Sequence, residues 1–303
     1  MIAKLEVDRG IVALKLATEM VAISTVPLLH DKINTIAVIE VDKGFRCNDL
    51  LGFYEQVERE YGLDKAAVLL TAARLPSSAG YESIEWEQEI HVLVTLGPRP
   101  VICTRPGKLY EPIASTINIV VVTTAPLRTE AMVDLLRVAV EAKTAALNEL
   151  IPWCRRRPLG TVTDAAIVAR PASLGGSILT AGAATTIGGL VADAVETLVI
   201  SLWRRLVRGE ELVETLLGPY AENLEVDEKK RLAELLENPD ILALLLAARH
   251  LDLHVEYGTL PRGLRTPDLI AKGVAEMRNV RVSSASHTEK LVKTLIVDGG
   301  KSR

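Results

Sequence analysis

Five consecutive residues, Gly160-Thr161-Val162-Thr163-Asp164, hold the densest reactive chemistry in this sequence. A carboxylate beside two hydroxyls can orient or deprotonate one of them, and a threonine hydroxyl is weakly nucleophilic until a base does so. The run stops at Ala165-Ala-Ile-Val-Ala169, which is apolar throughout. The polar group therefore marks the mouth of a buried strand, and binding sites recur at such strand ends. On an extended chain Thr161 and Thr163 share one face, while Val162 and Asp164 share the other. An Asp–Thr turn that satisfies its own backbone accounts for the same residues without any chemistry.

A second reactive group lies just upstream. Met132, Leu136, Ala139, Lys143, Leu147 and Leu150 recur at three- and four-residue spacing, which is one stripe of a helix over 129–150. Asp134, Arg137, Glu141 and Asn148 form its wet side. Lys143 thus stands in the apolar stripe, and an unpaired buried ammonium is costly. Either its stem packs while the amine snorkels to water, or it reaches a carboxylate or a substrate at the strand ends. Thr129 is the expected N-cap, with Glu130 in the favourable first turn. Before the helix, residues 116–122 are β-branched and apolar apart from Asn118, which predicts a strand covered on both faces. Strand, helix and strand over 115–169 form the unit around which the chain is organised.

The remaining elements follow from pattern and punctuation. Short strands are expected at 11–17, 20–26, 34–41 and 66–73. Asn48 is expected to cap a helix ending near Tyr61, with Gly62 as its stop. Residues 84–96 alternate, which predicts a single half-exposed strand with Glu85, Glu87, Glu89 and His91 on a solvated face. Turns are expected at Pro98-Arg99-Pro100 and at Arg105-Pro106-Gly107. A helix over 187–202 carries an apolar stripe, with Asp193 and Glu196 on its polar side. Beyond Trp203 the composition changes to charged, Leu-rich helices at 210–217, 227–237, 240–251 and 266–277, punctuated by Pro219, Pro239 and Pro261-Arg262-Gly263.

Composition excludes several classes. The 303 residues are 49 % apolar and 24 % charged, with a net charge of −4, so the chain is globular and has no electrostatic case for nucleic acid. The apolar stretch 178–203 contains Asp193 and Glu196, and central carboxylates are expensive in lipid, so no membrane span is expected. Cys47, Cys103 and Cys154 are far apart and odd in number, which suggests no disulfide framework and a reducing, cytoplasmic compartment. Glycine patterns for nucleotides and the serine elbow are absent. His250 and His254, with Asp252 and Glu256, could share a helix face and bind zinc, or alternate along a strand; no third ligand is evident, and no metal is expected. Arg155-Arg156-Arg157 adjoins the Gly160–Asp164 run and is either solvated or faces an anionic or polar ligand.

Five segments together resemble a known family. The segments at 116–127, 141–147 and 160–169, with 34–45 and 66–75 upstream, resemble in order and spacing the adenosylcobinamide amidohydrolases of archaeal corrinoid salvage. The resemblance covers residues 9–203. It implies hydrolysis of the amide joining aminopropanol to the corrin ring, giving adenosylcobyric acid, with the corrinoid as substrate and no separate cofactor. Under it the catalytic candidates are Asp164, Thr161, Thr163 and Lys143, with either a threonine hydroxyl or a water activated by Asp164 as the attacking group, and the substrate-binding candidates are Asn118, Thr71, Glu141 and Gly160. Thr71 enters because the family has a Met-Thr-Ala-Ala-like run near its site. Two departures stand out. Pro98, Arg99 and Pro100 occupy positions where the family has small polar residues, and Ala183, Ala184 and Gly189 stand where it commonly has Lys-His and an acid. A relative that binds corrinoid without cleaving it is the alternative. The expected fold is α+β (mixed α/β), with a strand-rich N-terminal part, a sheet layered with helices, an amidohydrolase-like domain over 1–203 and a helical extension over 204–303 that covers the core or mediates self-association.

Overall fold

The computed structural model describes residues 1–97, 101–103, 116–151 and 158–260. The expected turns at Pro98–Pro100 and Arg105–Gly107, together with Cys154, the Arg155–Arg157 run, Pro261–Gly263 and the helix expected at 266–277, lie outside the described residues. The described chain divides into two compact units. The first comprises residues 1–147 and 158–206, and the second, among the described residues, 148–151 and 207–260.

The first unit is built on an eight-stranded mixed sheet. Its strands are β1 (Ala3–Asp8), β2 (Ile11–Ser24), β3 (Ile33–Glu40), β4 (Ala66–Thr71), β5 (Ala79–Glu85), β6 (Glu89–Leu96), β8 (Ile117–Thr123) and β10 (Ala165–Pro171). Short strands β7 (Val101–Cys103) and β9 (Pro158–Thr161) pair separately with each other. The order is β4-β3-β2-β10-β8-β6-β5, with β1 on β2. Two neighbouring pairs are parallel, β3 with β4 and β8 with β10. Each parallel pair is joined by a crossover containing a helix, α1 (Leu50–Tyr61) and α2 (Thr129–Leu150) respectively, as parallel strands require.

Strand β2 explains how one sheet becomes two layers. Expected as two short strands, it is a single strand of 14 residues with a register shift between Lys15 and Met20. Its first half pairs with β1 and β3, and its last five residues pair with β10. A bulge bends a strand and increases its twist. Val12, Leu14, Ile36, Val38, Ala67 and Leu69 from one half of the sheet share a single buried cluster with Leu93, Val120, Val122, Ala165, Ile167 and Ala169 from the other, without any helical residue. The sheet therefore closes on itself along an apolar seam. The reverse face of β3 and β4 packs on Tyr54 and Val57 of α1. The reverse face of β5 and β6 packs on α3 (Thr186–Leu206).

Several local expectations are corrected. Residues 84–96 are a hairpin: β5 ends at Glu85, residues 86–88 turn, and every residue from Ile90 to Leu96 is buried. The alternation there reflects a turn rich in exposed acids followed by a strand covered by the seam and by α3. Asp49, not Asn48, caps α1, accepting from the Gly52 N–H at 3.0 Å, and Gly62 ends the helix in the left-handed region. Cys103 is disulfide-bonded, against the expectation that no cysteine pairs, and Cys47 is a free thiol. Spacing along the chain does not reveal which thiols the fold brings together.

The second unit contains α4 (Glu210–Leu217), a 3-10 turn (Gly218–Asn223), α5 (Val226–Leu235) and α6 (Pro239–Glu256) around their own apolar cluster. His250 and His254 lie on α6, so the helical reading of that segment holds, and the His254 ring bonds the Thr259 hydroxyl at 2.8 Å. Helix α3 is, among the described residues, the one helix long and apolar enough to cross a membrane; half of that stretch is buried inside the fold.

The start of α3 depends on a close backbone approach. The Thr185 hydroxyl accepts from the Gly188 N–H at 3.1 Å and donates to the Gly182 carbonyl at 2.8 Å. A Cβ at Gly188 would stand 2.0 Å from that same carbonyl oxygen. Gly188→Ala is therefore expected to cost roughly 1–3 kcal/mol through overpacking and to lower the melting temperature by several degrees. An unchanged thermal transition would contradict this packing.

Candidate active site

The candidate cluster forms where β8 and β10 begin side by side. Because the two strands are parallel neighbours, their N-terminal ends coincide, with Ala165 opposite Asn118. Asp164, just ahead of β10, accepts at Oδ1 from the Ile117 N–H at the start of β8, at 3.0 Å. The Thr161 N–H is shared between both carboxylate oxygens, at 3.1 Å each. The Thr161 hydroxyl donates to Oδ1 in a very short hydrogen bond. Lys143 Nζ completes the set at 2.6 Å from Oδ2. Lys143 is only 5 % exposed, so of the two sequence expectations the carboxylate contact is the one realised.

The turn is shaped to admit that contact. Gly160 has φ +155°, and a Cβ there would lie 1.9 Å from Asp164 Oδ2 and 2.7 Å from Lys143 Nζ. Only a residue without a side chain leaves the ion pair room. The expected alternation across 160–164 is not observed, because β9 ends at Thr161 and residues 162–163 turn. Thr161 therefore joins Asp164, whereas Thr163 bonds Thr116 at 2.8 Å. A turn that ties its own backbone and a paired buried ammonium are both present, in one cluster.

Asn118 and Thr71 meet at the end of β4. Asn118, 1 % exposed, donates from Nδ2 to the Leu70 carbonyl at 3.0 Å and to Thr95 Oγ1 at 3.1 Å. Its Oδ1 is buried without a hydrogen-bond partner, which is uncommon in a folded interior. Thr71 is fully buried, and its hydroxyl accepts from the Ala73 N–H at 3.1 Å. Glu141 is not brought in: it is exposed and pairs with Arg137 at 2.7 Å on the wet side of α2. Ala183 and Ala184 lie in the exposed turn before α3, so the residues standing in for the family's Lys-His are at the surface.

A histidine beside a carboxylate does occur, in a place the sequence reading assigned to solvent. His91 is 1 % exposed, with one ring nitrogen 2.8 Å from Glu89 Oε1 and the other 2.5 Å from the Tyr81 hydroxyl. Burial pushes the Glu89 carboxyl up, but the Ile2 N–H, His91 and the N-terminal ammonium outweigh it, and the net shift is downward. Burial raises the Tyr81 phenol. His91 pairs with Val122 near the far end of β8 from Asn118, so this relay does not join the Asp164 cluster. Among the described residues no group of three or more His, Cys, Asp or Glu could hold a metal ion.

The first unit is thus a mixed sheet folded into two layers with helices outside and a buried Lys–Asp–Thr cluster at its strand mouths. Residues 2–205 match the family model of adenosylcobinamide amidohydrolase; the chain belongs to that family and is an amide-bond hydrolase. Among solved structures, a β-aminopeptidase of Burkholderia sp. matches with 14 % identity and TM-score 0.36, covering 66 % of this chain and 79 % of its own. The L-aminopeptidase D-Ala-esterase/amidase of Ochrobactrum anthropi, described as a variant of the Ntn-hydrolase fold, matches with 12 % identity and TM-score 0.34, covering 67 % and 83 %. A protein of Pyrococcus horikoshii matches with 11 % identity and TM-score 0.33, covering 67 % and 79 %. No curated protein matches the sequence.

Removing one partner of a buried ion pair leaves an uncompensated charge, which costs roughly 3–5 kcal/mol. Lys143→Ala is expected to destabilise the fold by that order in urea unfolding. A loss below about 1 kcal/mol, the range of surface pairs, would show that the contact is not a buried pair.

Proposed function

We propose that this enzyme hydrolyses the amide joining the aminopropanol arm to the corrin ring of adenosylcobinamide, releasing aminopropanol and leaving adenosylcobyric acid. The observation that carries this reading is the family match over residues 2–205, which takes in every member of the Asp164 cluster. The corrinoid is the substrate in this scheme, and no resident cofactor is invoked.

In this reading Thr161 is the nucleophile. Its hydroxyl already donates to Asp164 Oδ1, the geometry in which a carboxylate takes the proton as the oxygen attacks. Oδ1 also accepts the Ile117 and Thr161 N–H groups, and Oδ2 faces Lys143. With its lone pairs so occupied, Asp164 could activate a water only by giving up a partner, which favours the hydroxyl already bound to it. Attack of Thr161 Oγ1 on the carbonyl carbon breaks the C–N bond, and the proton held at Asp164 leaves with the amine. Water then cleaves the resulting ester, forming the new carboxylate and restoring the hydroxyl. Lys143 and Gly160 position Asp164, and the Asn118 Oδ1, buried without a hydrogen-bond partner, is the acceptor this reading leaves for the substrate.

Removing a nucleophile that acts as part of a unit costs on the order of 10³-fold or more in kcat. Thr161→Ala is expected to lose turnover of adenosylcobinamide to that extent, while Thr161→Ser, which restores a hydroxyl, stays within about tenfold of the native enzyme. Turnover by Thr161→Ala within tenfold of native, with an unchanged thermal melt, would remove Thr161 from the mechanism.

A further inference from the structure

The same unit contains a polar concavity that the Thr161 chemistry does not use. A cavity of about 670 Å³ opens where the parallel strands β3 and β4 end, the edge at which ligands collect in sheets with helical crossovers. Its charges balance: Arg9 and Arg74 oppose Glu40 and Asp42, and Phe45 and Phe53 add an apolar wall, their rings 4.9 Å apart. The fold places each of these groups. The β1–β2 hairpin, with Gly10 at φ +80°, presents Arg9. Glu40 closes β3, its carboxylate fixed by the Leu75 N–H at 2.7 Å. Arg74 follows β4, and Phe53 lies in the first turn of α1.

The cavity abuts the end of β4 that Asn118 contacts. The Val41 N–H in its wall donates to the Thr71 carbonyl at 2.7 Å, and Asn118 Nδ2 donates to the adjacent Leu70 carbonyl at 3.0 Å. The cavity wall and Asn118 therefore contact neighbouring residues at the end of β4.

We propose that this cavity seats the carboxamide-bearing rim of the corrin ring, an inference that rests on the hydrolase reading above. A primary carboxamide donates through its NH2 and accepts through its carbonyl. Guanidinium groups supply only donors and carboxylates only acceptors, so two of each match neutral amides in either orientation. A phosphate would instead call for an excess of arginine. The volume lies within the range of small-molecule sites and admits one edge of the macrocycle. Arg9, Asp42 and Arg74 are exposed, so their side chains are accessible to a ligand and can be replaced with little effect on the core.

The test uses adenosylcobyric acid, which keeps the rim carboxamides but lacks the scissile amide, titrated by equilibrium dialysis against the full-length protein. Arg9→Ala and Arg74→Ala are each expected to weaken binding about tenfold, the worth of a charge-assisted hydrogen bond, while Arg59→Ala on α1 leaves it unchanged. A corrinoid whose rim carboxamides have been hydrolysed to carboxylates is expected to bind the native protein at least about tenfold more weakly, because its charges face Glu40 and Asp42. Asp42→Asn is expected to recover part of that loss, which a merely structural role could not do. If Arg9→Ala and Arg74→Ala bind adenosylcobyric acid like the native protein while native turnover of adenosylcobinamide is seen, the rim assignment is overturned and the hydrolase reading stands. If the native protein neither binds nor cleaves, both are overturned.

Discussion

One carboxylate holds the mouth of the central strands together. Asp164 gathers the Ile117 N–H, the Thr161 N–H and hydroxyl, and the Lys143 ammonium. It thereby ties the start of β8, the end of β9 and the inner face of α2 to the turn just ahead of β10. Charge-assisted bonds of this kind are roughly twice as strong as neutral ones, and in a buried setting each becomes costly to leave unmade. The Gly160 backbone, the interruption of strand pairing at residues 162–163 and the placement of a lysine in an apolar stripe follow from that demand. The same carboxylate that fixes the turn is the group bonded to the Thr161 hydroxyl, so in the proposed mechanism rigidity and reactivity arise from one arrangement.

Much of this was legible in the sequence, because its signals were local. The apolar run at 116–122, the long stripe of α2 and the polar group ahead of Ala165 identified a strand, a helix and a second strand, and the structure contains all three. Lys143 was conspicuous because its position on the stripe contradicts its charge, and such contradictions accumulate at functional sites. Gly160 stood out only as part of the run; its necessity depends on how closely Lys143 and Asp164 approach across 21 residues of sequence.

What was missed depended on long-range geometry. Residues 84–96 alternate convincingly, yet the period-2 pattern does not separate a half-exposed strand from a turn followed by a strand buried on both faces. His91 was read as solvated for that reason and proves to be fully enclosed. Asn118 and Thr71 were visible as polar residues in apolar strands, but their proximity comes from the bend in β2 that folds the sheet on itself. Arg9, Glu40 and Arg74 come from three separate segments, and nothing in their spacing announces a shared cavity. Glu141 was grouped with the site through its neighbours in sequence, whereas two residues along a helix turn it well away from Lys143.

The central claim is that this protein cleaves one particular amide by adding water across it. Incubating the purified protein with adenosylcobinamide in oxygen-18-labelled water, followed by mass spectrometry, tests it most directly. The account predicts free aminopropanol together with adenosylcobyric acid carrying the label in its new carboxylate. Recovery of intact, unlabelled adenosylcobinamide from folded protein would contradict it.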